Sequence, residues 1–168
     1  MSKEAKTNAM RMLDRAGIPY KTHSYEAGDG PVDGVCEKFI DGMHMAEATG
    51  ADADLSYKTL VMQGKSRQYY VYVIPIAMEV DLKKAARAVH EKSVEMIHVK
   101  DINKVTGYIR GGCSPIGMKK QYPTVIHCTA EQQPRIYISG GRIGLSLKLK
   151  PEDLVAMTGA VFADIARD

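Results

Sequence analysis

At 168 residues with 45% apolar content, the chain is long enough to bury one core and reads as a single domain over residues 1–168. No run approaches the ~20 apolar residues of a membrane span, and the charged opening Met1-Ser2-Lys3-Glu4-Ala5-Lys6 lacks the apolar stretch of a secretory signal. Three cysteines, odd in number and widely spaced, argue for a reducing cytoplasm over a disulfide framework, while the net charge of +3 permits a polyanionic partner without demanding one.

Ala5, Ala9, Met12, Leu13 and Ala16 recur at helical spacing, and Gly17 follows as a C-cap. Ile18 to Tyr25 reads as a strand with Pro19 near its start. Ala27 to Gly34 is a glycine- and proline-rich loop, Val35 to Ile40 one or two helical turns, and Met43 to Thr49 a short helix closed by Gly50. Tyr57 to Met62 and Tyr69 to Ile74 flank Gly64-Lys65-Ser66-Arg67, the strongest hairpin signal in the chain.

Asp81 is placed to N-cap a helix whose inward face is Leu82, Ala85, Ala86 and Val89. A second short helix around Asp101 to Val105 ends at Gly107. Thr124 to Cys128 and Arg135 to Ile138 read as strands. Leu145, Leu147 and Leu149 alternate with Ser146, Lys148 and Lys150, predicting a strand with one buried face. Pro151 suits the first turn of a final helix carrying Leu154, Val155 and Met157. Strands and helices mix without regular βαβ alternation, so the expected fold is a mixed, largely antiparallel sheet with helices packed around it.

Two glycine turns stand out: Arg110-Gly111-Gly112-Cys113-Ser114-Pro115-Ile116-Gly117 and Ser139-Gly140-Gly141-Arg142-Ile143-Gly144. Glycine permits positive φ and close approach to bare backbone, so the pair suggests a site walled by main chain. Neither turn matches the Walker pattern or G-x-G-x-x-G, and read alone each is a plain loop. Lys58 shares a strand face with Leu60 and Met62, where a lysine either snorkels from the strand end or serves a site. His23 and Tyr25 share a face of the early strand, as a polar-ligand pair or a sheet edge.

Cys36, His44, Cys113, His127 and Cys128 show no C-x₂-C or H-x₃-H spacing, so no metal site is expected. Cys113 and Ser114 have no histidine nearby and no G-x-S-x-G around them, so neither reads as an activated nucleophile. Arg110, Lys119 and Lys120, and later Arg142, Lys148 and Lys150, are able to meet phosphates but read as a solvated face.

The order of these pieces carries more than any one. His23-x-Tyr25-Glu26, Tyr57-Lys58-Thr59-Leu60, Thr106-Gly107-Tyr108, Gly111-Gly112-Cys113-Ser114-Pro115-Ile116-Gly117-Met118-Lys119-Lys120, Ser139-Gly140-Gly141 and Phe162-Ala163-Asp164-Ile165-Ala166 together resemble the bacterial YbaK/EbsC family. These are Cys-tRNA(Pro) deacylases, relatives of the editing domain inserted in some prolyl-tRNA synthetases. The resemblance runs from the first helix to the C-terminus.

The resemblance implies a single-domain α/β fold around a barrel-like mixed sheet. It implies an enzyme acting in trans to remove cysteine wrongly attached to tRNA(Pro). It also implies that Lys58 is the essential lysine with Thr59 beside it, and that Tyr25 and the Gly111-Gly112 turn hold pocket positions. Ser114 and Pro115 belong to the same motif, and Ser139 and Gly140 to the later one. The substrate's own thiol is the implied nucleophile. Two departures stand out: Ala27 to Asp41 is longer than usual, and some relatives carry acids where this chain has His127 and Ser146.

The expected partners are mischarged tRNA(Pro) and prolyl-tRNA synthetase, with no cofactor, DNA or membrane. No strong basic stripe shows in the sequence, so tRNA selectivity is expected to come from the synthetase. The competing expectations are a hydrolase acting on Ala-tRNA(Pro) or another mischarged tRNA, and a non-catalytic tRNA- or synthetase-binding module.

Overall fold

A helix begins where the Thr7 hydroxyl accepts the backbone N–H of Met10, and the computed structural model describes residues 6–24 and 55–167. That helix, α1 (Asn8–Ala16), buries Ala9 and Leu13 and stops at Gly17, whose φ of 72° is the left-handed cap its sequence predicts. The expected loop and helices between Ala27 and Gly50 lie outside the described residues, as does Tyr25.

The strands are β1 (Lys21–Ser24), β2 (Tyr57–Gly64), β3 (Tyr69–Pro75), β4 (Val94–Met96), β5 (Thr124–His127), β6 (Ile136–Ser139), β7 (Leu145–Leu149) and β8 (Val161–Ala163). The helices after α1 are α2 (Leu82–Ala88), α3 (Val99–Thr106) and α4 (Pro151–Thr158), with a 3₁₀ turn over Cys128–Gln132. The β5 strand therefore stops one residue earlier than expected, because Cys128 opens that turn.

Two sheets form, in the orders β1-β7-β6 and β4-β2-β3-β5-β8. Among the described residues β3–β5 and β5–β8 pair in parallel and the other ladders are antiparallel. Parallel neighbours need long crossovers. Here α2, β4 and α3 lie between β3 and β5, and β6, β7 and α4 between β5 and β8. An isolated parallel bridge between Ser56 and Tyr137 joins the two sheets, which do not close into one barrel.

The larger sheet is covered on both faces. On one, Met62, Tyr70, Tyr72 and Val125 pack against Ala85 and Ala86 of α2 and against Ile165. On the other, Tyr57, Val73 and Ile126 join Leu13 of α1, Leu154 of α4 and the inner face of the smaller sheet. Double coverage explains why Tyr69 to Pro75 is an unbroken apolar run.

Two expectations change. Leu82 is 46% exposed, because α2 is short and meets the sheet through its second turn, where Tyr72 Oη donates to the Ala85 carbonyl at 2.9 Å. Ser146, expected on an open face of β7, is 1% exposed, so that face is covered at Ser146 and opens only towards Lys148 and Lys150.

Candidate active site

Strand register assembles the site. In the smaller sheet His23 pairs with Ser146, and Ser146 pairs with Ser139, so three polar residues stand in one row across β1, β7 and β6. Paired residues point to the same face. The alternating Ile138 and Leu147 point the other way, into the core. The His23 ring meets Tyr137 edge to face, with centroids 5.1 Å apart.

The Ser56–Tyr137 bridge carries this register into the larger sheet. The bridge is isolated and the pairing stops there; Lys58 and Ser139 each lie two residues further along and, by the pleat, on the same face as Ser56 and Tyr137. Further along β2 that face becomes apolar and meets the α2 layer through Leu60 and Met62. Lys58 therefore stands half-buried at the border between an apolar face and a hydroxyl-lined one. Among the described residues no carboxylate pairs with it.

Thr59 points to the opposite face by the pleat. Its Oγ1 is buried and has no hydrogen-bond partner among the described residues. Buried hydroxyls are nearly always partnered, which makes this atom a candidate polar contact.

The two glycine turns meet. A Cβ on Gly112 would stand 2.8 Å from Arg142 Cα and 2.9 Å from Ile143 N, so only glycine allows this approach of main chain to main chain. Both turns are also tied to the start of α1. Thr7 Oγ1 donates to the Gly140 carbonyl at 2.5 Å, and Asn8 Nδ2 donates to the Gly117 carbonyl at 2.7 Å. Inside the first loop, Tyr108 Oη donates to the Ile116 carbonyl at 2.6 Å. In the second, the Gly141 N–H donates to Ser139 Oγ at 3.3 Å, which fixes that hydroxyl at the turn.

Within the Gly111-Gly112 pair the roles differ. The Gly112 N–H donates to the Ile109 carbonyl at 2.9 Å and closes a turn. Gly111 is exposed, with φ of 85°. Ser114 is wholly buried and its Oγ accepts the Ile116 N–H at 3.2 Å, while Pro115 is buried next to it. In this structure Ser114 and Pro115 form the inward base of the loop.

Neither the Cys113 thiol nor the His127 imidazole is primed for attack. Cys113 packs against the cluster of Val61, Val71, Val105 and Tyr122, and burial pushes its thiol up to about 11, against a smaller opposing effect from the Thr106 hydroxyl. His127 is 4% exposed and its Nδ1 accepts the Ile165 N–H at 3.2 Å. Burial lowers its pKa, Asp164 at 4.0 Å raises it, and Lys84 lowers it. The neutral ring thus serves as a lock on the C-terminal segment. No group of three metal-ligating side chains forms among the described residues. Cys36 and His44 lie outside them, and so does Tyr25.

Residues 43–157 match the family described as Aminoacyl-tRNA editing domain. The chain belongs to that family. As an editing domain it is an aminoacyl-tRNA deacylase. It is 42% identical over 162 residues, 96% of this chain and 94% of the relative, to an Enterococcus faecalis protein named "Putative Cys-tRNA(Pro)/Cys-tRNA(Cys) deacylase EbsC".

Two solved structures share the editing-domain fold. One, described as "a putative trans-editing enzyme for prolyl tRNA synthetase", superposes with a TM-score of 0.80 at 23% identity and covers 98% of this chain and 100% of its own. The other, hypothetical protein APE2540, has a TM-score of 0.80 at 21% identity over 95% of this chain and 99% of its own. At such identities the likeness establishes the fold alone.

Sequence reasoning singled out Lys58, Gly111, Gly112, Ser139 and Gly140 without showing how they meet. It did not place His23, Ser146 and Ser139 in one row, nor Thr7 and Asn8 behind the turns. The one local signal for Ser146 was its alternation with Leu145 and Leu147. No described helix is long and apolar enough to cross a membrane.

Proposed function

We propose that this editing domain acts in trans on Cys-tRNA(Pro), and that the substrate's cysteine thiol is the nucleophile. The carrying observation is that three candidate groups of the chain, Cys113, Ser114 and His127, are each committed elsewhere. Cys113 is held as a protonated thiol, Ser114 is buried in its own loop, and His127 is turned to the backbone.

The chemistry then runs within the substrate. A free thiol is a few per cent thiolate near neutrality. Its sulfur attacks the ester carbonyl, a C–S bond forms, the bond from carbonyl carbon to ribose oxygen breaks, and the ribose oxygen takes the proton. The four-membered thiolactone leaves and opens in water. Well-oriented intramolecular attack reaches effective molarities of about 10⁵–10⁸ M, and ring strain lowers the gain here.

The protein's part is orientation and charge. Lys58 holds a phosphate or ribose oxygen at the terminal nucleoside. The exposed Gly111 amide stabilises the oxyanion. The Gly112 amide supports the turn instead. The Ser139 hydroxyl is available for polar contacts, and Thr59 stands beside Lys58 in sequence with its buried Oγ1 on the other face. Tyr25 belongs to the same proposed site. Selection of tRNA(Pro) comes from prolyl-tRNA synthetase, a reading supported by the description of one structural neighbour.

The test sets wild type and Cys113→Ala against Cys-tRNA(Pro) and Ser-tRNA(Pro). Both proteins should cleave the cysteinyl ester, and the seryl ester should react far more slowly despite its near-identical size. A pocket alone resolves one atom poorly, so comparable rates would mean a water nucleophile. A dead Cys113→Ala with a covalent acyl-enzyme in the wild type would mean a protein thiol.

A further inference from the structure

A cavity of about 530 Å³ opens on the smaller sheet, lined by Lys21, Arg135, Lys148 and Lys150 together with Tyr20 and two prolines. Among the described residues no carboxylate lines it. Asp14, which accepts the hydroxyl of the lining Tyr20, is itself paired with Lys6. Among the described residues none of the four cations makes an ion pair.

The register makes the grouping more telling. Lys21 pairs directly with Lys148 across β1 and β7. Like charges in that position repel and destabilise the sheet. Lys148 Nζ leans over the Tyr137 ring at 5.7 Å, which offsets part of the cost. Arg135 and Lys150 flank the same end of the β6–β7 ladder, on the same face by the pleat. Cations drawn from residues 21, 135, 148 and 150 thus converge on one concave surface, and an anion between them removes the repulsion.

The position points to which anion. Lys21 and Lys148 lie two residues along their strands from His23 and Ser146, about 7 Å at the rise of an extended chain. Arg135 lies four residues from Ser139, about 13 Å away on the same measure. One face therefore grades from the hydroxyls of Ser139 and Ser146 to cations that have no ion pair among the described residues at the far end. A polyanionic strand whose last unit sits at the glycine turns would run onto those cations.

We propose that this cavity seats the phosphates of the single-stranded RNA immediately preceding the aminoacylated terminal nucleoside. The proposal rests on the reading of the Lys58 and Gly111 region as the ester site. It gives the chain a sequence-independent grip on its RNA, separate from selection by a synthetase.

The experiment uses Lys21→Gln with Lys148→Gln, and separately Arg135→Gln with Lys150→Gln, in the full chain. For aminoacyl-tRNA, each double variant should raise KM about tenfold with kcat retained, and a short unacylated single-stranded RNA should bind with a salt slope lower by about 0.7 for each cation removed. The melting temperature of Lys21→Gln/Lys148→Gln should equal or exceed that of the wild type, since a repulsive pair is gone. An aminoacylated adenosine without preceding phosphates should lose little.

Unchanged KM and unchanged salt slope would overturn the proposal. So would an equal loss on aminoacylated adenosine, which would place the cations at the ester. Should the wild type cleave no aminoacyl-tRNA, the ester-site reading fails, while the salt slopes on unacylated RNA still decide for or against the cavity.

Discussion

Gly112 lies so close to the backbone of Arg142 that a Cβ added to it would stand 2.8 Å from the arginine Cα. The two glycine turns are thus one object, and the two glycines of the first turn have separable jobs. Gly112→Ala must push main chain apart and should cost up to ~3 kcal/mol, lowering melting temperature and activity together. Gly111→Ala carries the strain of a left-handed alanine, about 1 kcal/mol, so its melting temperature should fall modestly while kcat/KM collapses. If both variants lose stability and activity in the same proportion, Gly111 is a structural residue and the oxyanion role goes.

Lys58 offers a cleaner separation. No described carboxylate depends on it, and its half-buried position makes truncation tolerable. Lys58→Ala should change stability by no more than ~1 kcal/mol and reduce deacylation by roughly 10²-fold or more. Wild-type turnover in a folded Lys58→Ala protein would remove the lysine from the mechanism.

His127 predicts a pH signature. Burial lowers its folded pKa below the ordinary 6.5, so below that pH the unfolded chain binds the extra proton and the folded one resists it. The contribution is complete above pH 6.5 and is lost as pH falls from there towards the folded value. Protonation also removes the acceptor for the Ile165 N–H. Wild-type melting temperature should therefore drop through this window. His127→Asn, which keeps an acceptor that does not titrate, should show a flatter profile, and identical profiles would exclude His127 as the source.

Thr7 holds two structures at once, capping α1 at Met10 and donating to the Gly140 carbonyl. Thr7→Val removes both bonds and should cost about 1–2 kcal/mol. The second glycine turn then loses its tie to α1, so kcat/KM should fall beyond what the fraction folded explains, and Thr7→Ser should restore it. Full activity in a folded Thr7→Val protein would show that the turn holds its shape without the helix.

The local pattern alone determined most elements. Helical spacing up to Gly17, the turn at Gly64 to Arg67, the Asp81 cap and Pro151 at the start of α4 act within a few residues, so their geometry is written in neighbouring side chains. The same holds for the glycine turns, whose composition marks them before any fold is known. Two strands escaped notice because they have three residues each: β4 and β8 are strands only through their partners β2 and β5. The exposure of Leu82 and the burial of Ser146 likewise depend on what packs above them. The site belongs to this second class. Ser139, Ser146 and His23 come level because of the β1–β7–β6 register, one bridge at Ser56 ties β2 and its Lys58 to that sheet, and the cations of residues 21, 135, 148 and 150 converge through the same register. Register is set by long-range burial of Leu147, Ile138 and Tyr57 in a common core, a constraint that no short window of sequence contains.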